Sequence, residues 1–151
     1  MKPKFQKLYN NIAHEVAKMS YARRLQVGAV IVKDDRVISM GYNGMPAGWD
    51  NNCESEETEF NLVTKTRTGT GKLTTRPEVL HAESNAIAKL AKSNDSGLGA
   101  ELFVTHAPCM ECSKLIFQSG ISRVYYSSDY RDDSGIKFLN QSGVEVIKHD
   151  E

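Results

Sequence analysis

The sequence predicts a three-layer α/β/α fold: a five-stranded mixed sheet flanked by helices, in a single domain over residues 1–151. Three observations predict it. Short apolar, β-branched runs alternate with helix-period segments through the second half of the chain, which is how parallel strands and crossover helices are written in sequence. Near the N-terminus two such runs are separated only by "KDDR", which reads as a hairpin turn. At 151 residues, with 40% hydrophobic and 25% charged side chains, the chain can bury a core without disulfide staples.

The elements follow in order. Phe5, Leu8, Ile12, Val16 and Met19 recur at spacings of three and four, so they predict one apolar stripe on a first helix. "QVGAVIV" (Gln26–Val32) reads as a buried strand and "VISMGY" (Val37–Tyr42) as its hairpin partner. From Asn43 to Leu80 the periodicity fades, and the segment reads as a long loop, an insertion at about 44–80. It holds an acidic cluster (Glu54, Glu56, Glu57, Glu59) and a basic one (Lys65, Arg67, Lys72, Arg76). Its "TGTGK" is not a phosphate loop, because Lys72 is followed by Leu73 where that pattern requires Ser or Thr. Regular structure resumes with a helix over Ala82–Lys92 and a strand at "AELFVTH". A helix over Cys109–Ser119 stops at Gly120, and "ISRVYYS" is the next strand. A helix over Ser134–Gln141 and a last strand, "VEVIKH", complete a sheet expected to be mainly parallel with helices on both faces.

The formal net charge is zero, which disfavours long nucleic acids as partners but leaves room for a local basic pocket. No apolar run approaches the ~18 residues of a membrane span, and the N-terminal residues show no secretory pattern, so a cytoplasmic location is the expectation. The three cysteines, Cys53, Cys109 and Cys112, are an odd number in such a chain and argue for metal binding or catalysis over a disulfide framework.

His81 and Glu83 sit where the insertion gives way to a helix; Cys109 and Cys112 open a later helix, three residues apart and so on one face. Pro108 starts that helix without wasting an N–H donor, and a helix N-terminus favours the thiolates that zinc requires. If the two β-to-α junctions share one sheet edge, His81, Cys109 and Cys112 supply three zinc ligands and leave a fourth position open, as in catalytic zinc sites. Glu83, two residues from a ligand, is then placed to move protons. A histidine at a helix start is often structural, and a lone C-x-x-C also fits a redox pair or half a structural zinc site. Here no second C-x-x-C accompanies it, and the His, Glu, Pro and both Cys occur together in order.

On these residues the chain resembles the zinc-dependent cytidine/deoxycytidylate deaminase superfamily, whose signature is H-x-E…P-C-x-x-C. Within it, the chain is most similar to deoxycytidylate (dCMP) deaminases. The resemblance rests on "QVGAVIV", "GYNGMPAG" (Gly41–Gly48), "HAESNAI" (His81–Ile87), "APCMECSKLI" (Ala107–Ile116) and "SGISRVYY" (Ser119–Tyr126), and covers nearly the whole chain. It implies a cytidine-deaminase-like fold and hydrolysis of dCMP to dUMP and ammonia, supplying thymidylate synthesis. His81, Cys109 and Cys112 would hold one catalytic Zn(2+), and Glu83 would be the proton-transferring catalytic residue. Asn43, Ala82 and Tyr130 are implied substrate contacts, while Arg23 and Arg24 are candidates for the phosphate. "SYARR" departs from the family's run at that place, which leaves the phosphate contacts open. The resemblance also implies a homo-oligomer, a hexamer, activated by dCTP with Mg(2+) and inhibited by dTTP. Asn43, Gly44, Asp50 and Lys72 are then candidate effector contacts. A viral chain of this kind would act in the host cytoplasm. Cys53, with no further cysteine to join it, reads as a small buried or loop residue, so a second zinc is not expected. Two other readings remain. One is a deaminase of tRNA adenosine, free cytidine or a riboflavin intermediate; the other is a zinc-stabilised binding or DNA-uptake-associated protein that has lost the chemistry.

Overall fold

The apolar run after Val27 becomes β1 (Gly28–Lys33), with its first five residues buried because both faces of the strand are covered. It turns back through Asp34 and Asp35, at φ 52° and 58°, into β2 (Arg36–Tyr42). Positive φ at both central residues matches the right-handed strand twist, and Asp tolerates it. The rest of the chain runs β3 (Glu54–Asn61), β4 (Thr66–Thr75), α2 (Ala82–Ala91), β5 (Glu101–His106), α3 (Met110–Gln118), β6 (Arg123–Ser128), α4 (Ser134–Gln141) and β7 (Glu145–Lys148), after an opening helix α1 (Pro3–Ala17). This computed structural model describes residues 1–149.

The main sheet has five strands in the order β2-β1-β5-β6-β7. β1 is antiparallel to both β2 and β5, while β5–β6 and β6–β7 are parallel. The sheet is therefore mixed as expected, but parallel pairing accounts for half of it rather than most. Alternate residues of the central strands feed two separate cores. Ala29, Ile31, Leu102, Val104 and Val124 meet Ala86, Leu90, Ile116 and Leu139 from α2, α3 and α4. On the other face Val30, Val32, Phe103 and Tyr125 meet Tyr9, Ala13 and Val16 of α1. There Phe103 stacks on Tyr125 at 4.5 Å between ring centroids.

Two expectations need correction. The buried stripe of α1 is Tyr9, Ala13, Val16 and Ala17, whereas Leu8 and Met19 are exposed. The close approach of helix to sheet selects small residues: a Cβ at Gly28 would lie 2.1 Å from the Ala13 carbonyl oxygen. The segment read as a loop contains the β3–β4 hairpin, paired from Glu54↔Thr75 to Asn61↔Thr66. It lacks apolar alternation because nearly all of it is solvated on both faces. Its tip carries Leu62 and Val63, both largely exposed. Trp49, the chain's single tryptophan, lies half exposed just before the hairpin. Among the described residues no helix is long and apolar enough to cross a membrane.

Candidate active site

Two helix N-termini build the centre of the site. His81 is the N-cap residue of α2 and Cys109 that of α3. The start of α2 is pinned to β2 by hydrogen bonds from Asn85 Nδ2 to the Tyr42 carbonyl (2.8 Å) and from Ser39 Oγ to the Ala86 carbonyl (2.6 Å). Just before His81, Leu80 and Gly44 exchange backbone hydrogen bonds at 2.8 and 3.0 Å. The start of α3 is held by α4, whose Gly135 lies so close that a Cβ there would be 2.2 Å from the Pro108 carbonyl oxygen.

These supports bring His81, Cys109 and Cys112 together, with ligand atoms all within 4.8 Å of one another. His81 Nδ1 lies 3.3 Å from Cys112 Sγ and 3.6 Å from Cys109 Sγ. Ligands on one tetrahedral zinc are separated by roughly 3.3–3.8 Å, given its usual bond lengths, so both His81–Cys spacings fit. The charge state fits as well. Hydrogen bonds from Cys112 and His81 pull the Cys109 thiol down to about 4. Hydrogen bonding to Cys109, with burial, pushes the Cys112 thiol up. Hydrogen bonding to Cys109 likewise raises His81. Two adjacent thiols resist losing both protons unless a cation lies between them, so this donor set suits a divalent ion that accepts sulfur and nitrogen.

Glu83 occupies the first turn of α2, 5% exposed, and burial raises its carboxyl to about 6. It faces a cavity of about 510 Å³. Its apolar walls include Leu25, Val27, Val79 and Ala82, and its polar walls include His81, Cys109, Asn43 and His106. Arg24, Tyr130 and Arg131 add two cations and a phenol to the lining. The volume suits a small organic molecule of nucleotide size.

Of the candidates read from the sequence, His81, Glu83, Cys109, Asn43, Ala82, Arg24 and Tyr130 line this cavity, while Cys112, the third member of the cluster, is buried and not part of the lining. Asn43 is also a brace: its Oδ1 accepts the Val27 N–H at 2.9 Å and its Nδ2 donates to the Leu25 carbonyl at 2.8 Å. Arg23 is not part of the lining; its guanidinium donates to Asn52 and to the lining residue Glu54. Gly44 sits in the bridge to Leu80. Asp50 pairs with Arg76 at 3.3 Å, and Lys72 pairs with Glu57 on the hairpin at 3.4 Å. Four lining residues carried no usable sequence signal: Glu54, Thr75, His106 and Arg131. Glu54, 1% exposed, accepts the backbone N–H groups of Arg23 and Arg24 at 2.8 and 3.1 Å, yet in sequence it is one acid of a cluster. Cys53 is 1% exposed and also lines the cavity, as a small buried residue.

The chain's likenesses to known proteins agree with this geometry. Residues 3–128 match the cytidine and deoxycytidylate deaminase zinc-binding region. The ComE operon protein 2 of Bacillus subtilis is 40% identical over 135 residues, 89% of this chain and 65% of that longer protein. The deoxycytidylate deaminase of Mycobacterium phage D29 is 38% identical over 128 residues, covering 85% of this chain and 98% of that one. The crystal structure of the dCMP deaminase from cyanophage S-TIM5 in complex with dCMP and dUMP superposes with a TM-score of 0.84 at 41% identity, covering 99% of both chains. The zinc-type cluster, the buried acid and a match over most of the chain agree: it belongs to the cytidine and deoxycytidylate deaminase family.

Proposed function

We propose that this protein hydrolyses dCMP to dUMP and ammonia, with one Zn(2+) held by His81, Cys109 and Cys112. The observation that carries the reading is the buried Glu83 carboxyl beside that donor set, at the floor of a nucleotide-sized cavity. The similarity to a phage dCMP deaminase that binds both dCMP and dUMP supports the choice of substrate.

Bound in the cluster, zinc supplies the Lewis acidity that makes water nucleophilic at neutral pH. The chain's own residues do the rest. Glu83, raised to about 6 by burial, exchanges protons readily near neutrality. It takes one proton from the attacking water and delivers it to N3 of cytosine, then takes the second from the hydroxyl added at C4 and passes it to the amine, so that the C4–N bond breaks, ammonia leaves and the C4 carbonyl forms. Ala82, fully buried at the cavity wall, leaves space for the ring where a larger side chain would fill it. Asn43 fixes the Leu25–Val27 wall, and Arg24, Arg131 and Tyr130 offer charge and hydrogen bonds for the 5′-phosphate. In the cell the product would feed thymidylate synthesis. Activation by dCTP with Mg(2+), inhibition by dTTP and assembly as a hexamer belong to the same reading. For the effectors, the support is an insertion rich in acids and bases whose root residues Glu54 and Thr75 line the cavity; the hexamer rests on the family resemblance alone.

The test follows loss of the cytosine ultraviolet absorbance for zinc-loaded protein with dCMP, dCTP, cytidine and deoxycytidine, with and without dCTP–Mg(2+) or dTTP. dCMP should be the preferred substrate. Glu83→Gln should keep zinc and lower kcat by about 10²–10⁴-fold or more. A fully active Glu83→Gln protein, or zinc-loaded wild type inert on dCMP, overturns the proposal.

A further inference from the structure

His106 ends β5 and forms part of the cavity wall, yet the chemistry above gives it no task. Its neighbours settle which ring nitrogen carries the proton. Thr105 is 1% exposed, and its hydroxyl oxygen accepts the Gly28 N–H at 3.2 Å. The hydroxyl proton then needs an acceptor, and His106 Nδ1 lies 2.9 Å away. A buried hydroxyl left without one would be costly, so Nδ1 accepts and the neutral ring carries its proton on Nε2. Among the described residues no protein group takes that Nε2–H. Burial, together with the nearby His14, pushes the His106 pKa down, which keeps the ring neutral. His14 is engaged elsewhere, with Nε2 3.1 Å from Ser127 Oγ.

The position of this donor limits what it can reach. The reacting ring must lie against Glu83 and the His/Cys/Cys cluster. His106 pairs in register with Ser128 on β6, and the residues that follow Ser128 bring Tyr130 and Arg131 to the cavity. We propose that His106 donates its Nε2–H to an acceptor oxygen on the sugar-phosphate part of the bound nucleotide. Thr105 sets the tautomer, and His106 is a substrate-binding residue. The inference rests on the nucleotide reading above.

The test compares zinc-loaded wild type, His106→Leu and His106→Gln on dCMP and on deoxycytidine. His106→Leu should raise KM for dCMP by about tenfold, with a smaller change in kcat. His106→Gln, which keeps an N–H donor, should recover part of the loss. If the acceptor is a phosphate oxygen, KM for deoxycytidine stays put; if it is a sugar hydroxyl, both KM values rise together. A dCMP KM within about twofold of wild type in His106→Leu overturns the inference, as does an equal loss in the Leu and Gln variants. Independently of folding in the variants, ring ¹⁵N spectra of wild type should show His106 protonated on Nε2 and shifted by dUMP. An Nδ1–H ring, or one indifferent to dUMP, overturns it. Wild type that neither turns over dCMP nor binds dUMP overturns the nucleotide reading and this inference together. An active wild type with an unaffected His106→Leu overturns this inference alone.

Discussion

Gly135 shows how much of the site depends on residues that carry no chemistry. A methyl group there would lie 2.2 Å from the Pro108 carbonyl oxygen and 2.8 Å from the Cys109 carbonyl carbon, both backbone atoms that cannot swing aside. Gly135→Ala should therefore displace the start of α3, lower stability by about 1–3 kcal/mol and weaken zinc binding. The checks are the urea midpoint and zinc competition against a chromogenic chelator; an unchanged midpoint would show that the helices separate without cost. The His/Cys/Cys cluster and the buried acid were legible in sequence as a group, because their spacing is local: two residues from His81 to Glu83, three from Cys109 to Cys112. Glu54, His106, Arg131 and Gly135 were not. Their roles come from what the fold places beside them, and no short spacing encodes that.

At the scale of elements, strands buried on both faces announce themselves as continuous apolar runs, which is why β1 and β5 were readable. On α1 the stripe is right at Phe5, Ile12 and Val16 and wrong at Leu8 and Met19: large apolar residues dominate a periodicity argument, while the contact over Gly28 is made by Ala13 and Ala17. The β3–β4 hairpin escaped notice for the opposite reason. It has almost no buried face to pattern, and its charges read as loop. Because the hairpin packs chiefly on itself, removing it should cost the domain little. Glu54 and Thr75 are register partners, so Asn-Gly in place of residues 55–74 closes a two-residue turn between them. The trimmed protein should melt within about 3 °C of the parent and retain zinc, since surface changes that touch no core contact are usually small. A large drop in Tm would mean that the hairpin braces the domain.

For the whole molecule, the sheet separates stability from chemistry. Both cores are filled by apolar side chains from the strands and helices, and the His/Cys/Cys cluster lies at the end of one of them. Removing zinc with a chelator should abolish activity and lower Tm while far-ultraviolet circular dichroism retains its helical signal at 25 °C. Restoring zinc should restore turnover. Loss of the helical signal on chelation would instead make the metal a folding requirement. Tyr9, Phe103 and Tyr125 fill the core beneath α1, and Phe117 and Phe138 meet edge to face on the opposite side, but Trp49 belongs to neither group. It stands half in solvent on the stretch between Asn43 and Cys53, two residues of the cavity wall. The protein therefore carries a single optical probe outside both cores, on a segment whose two ends are fixed in the cavity wall. In a denaturation experiment its emission will follow the loosening of that segment rather than the collapse of the cores.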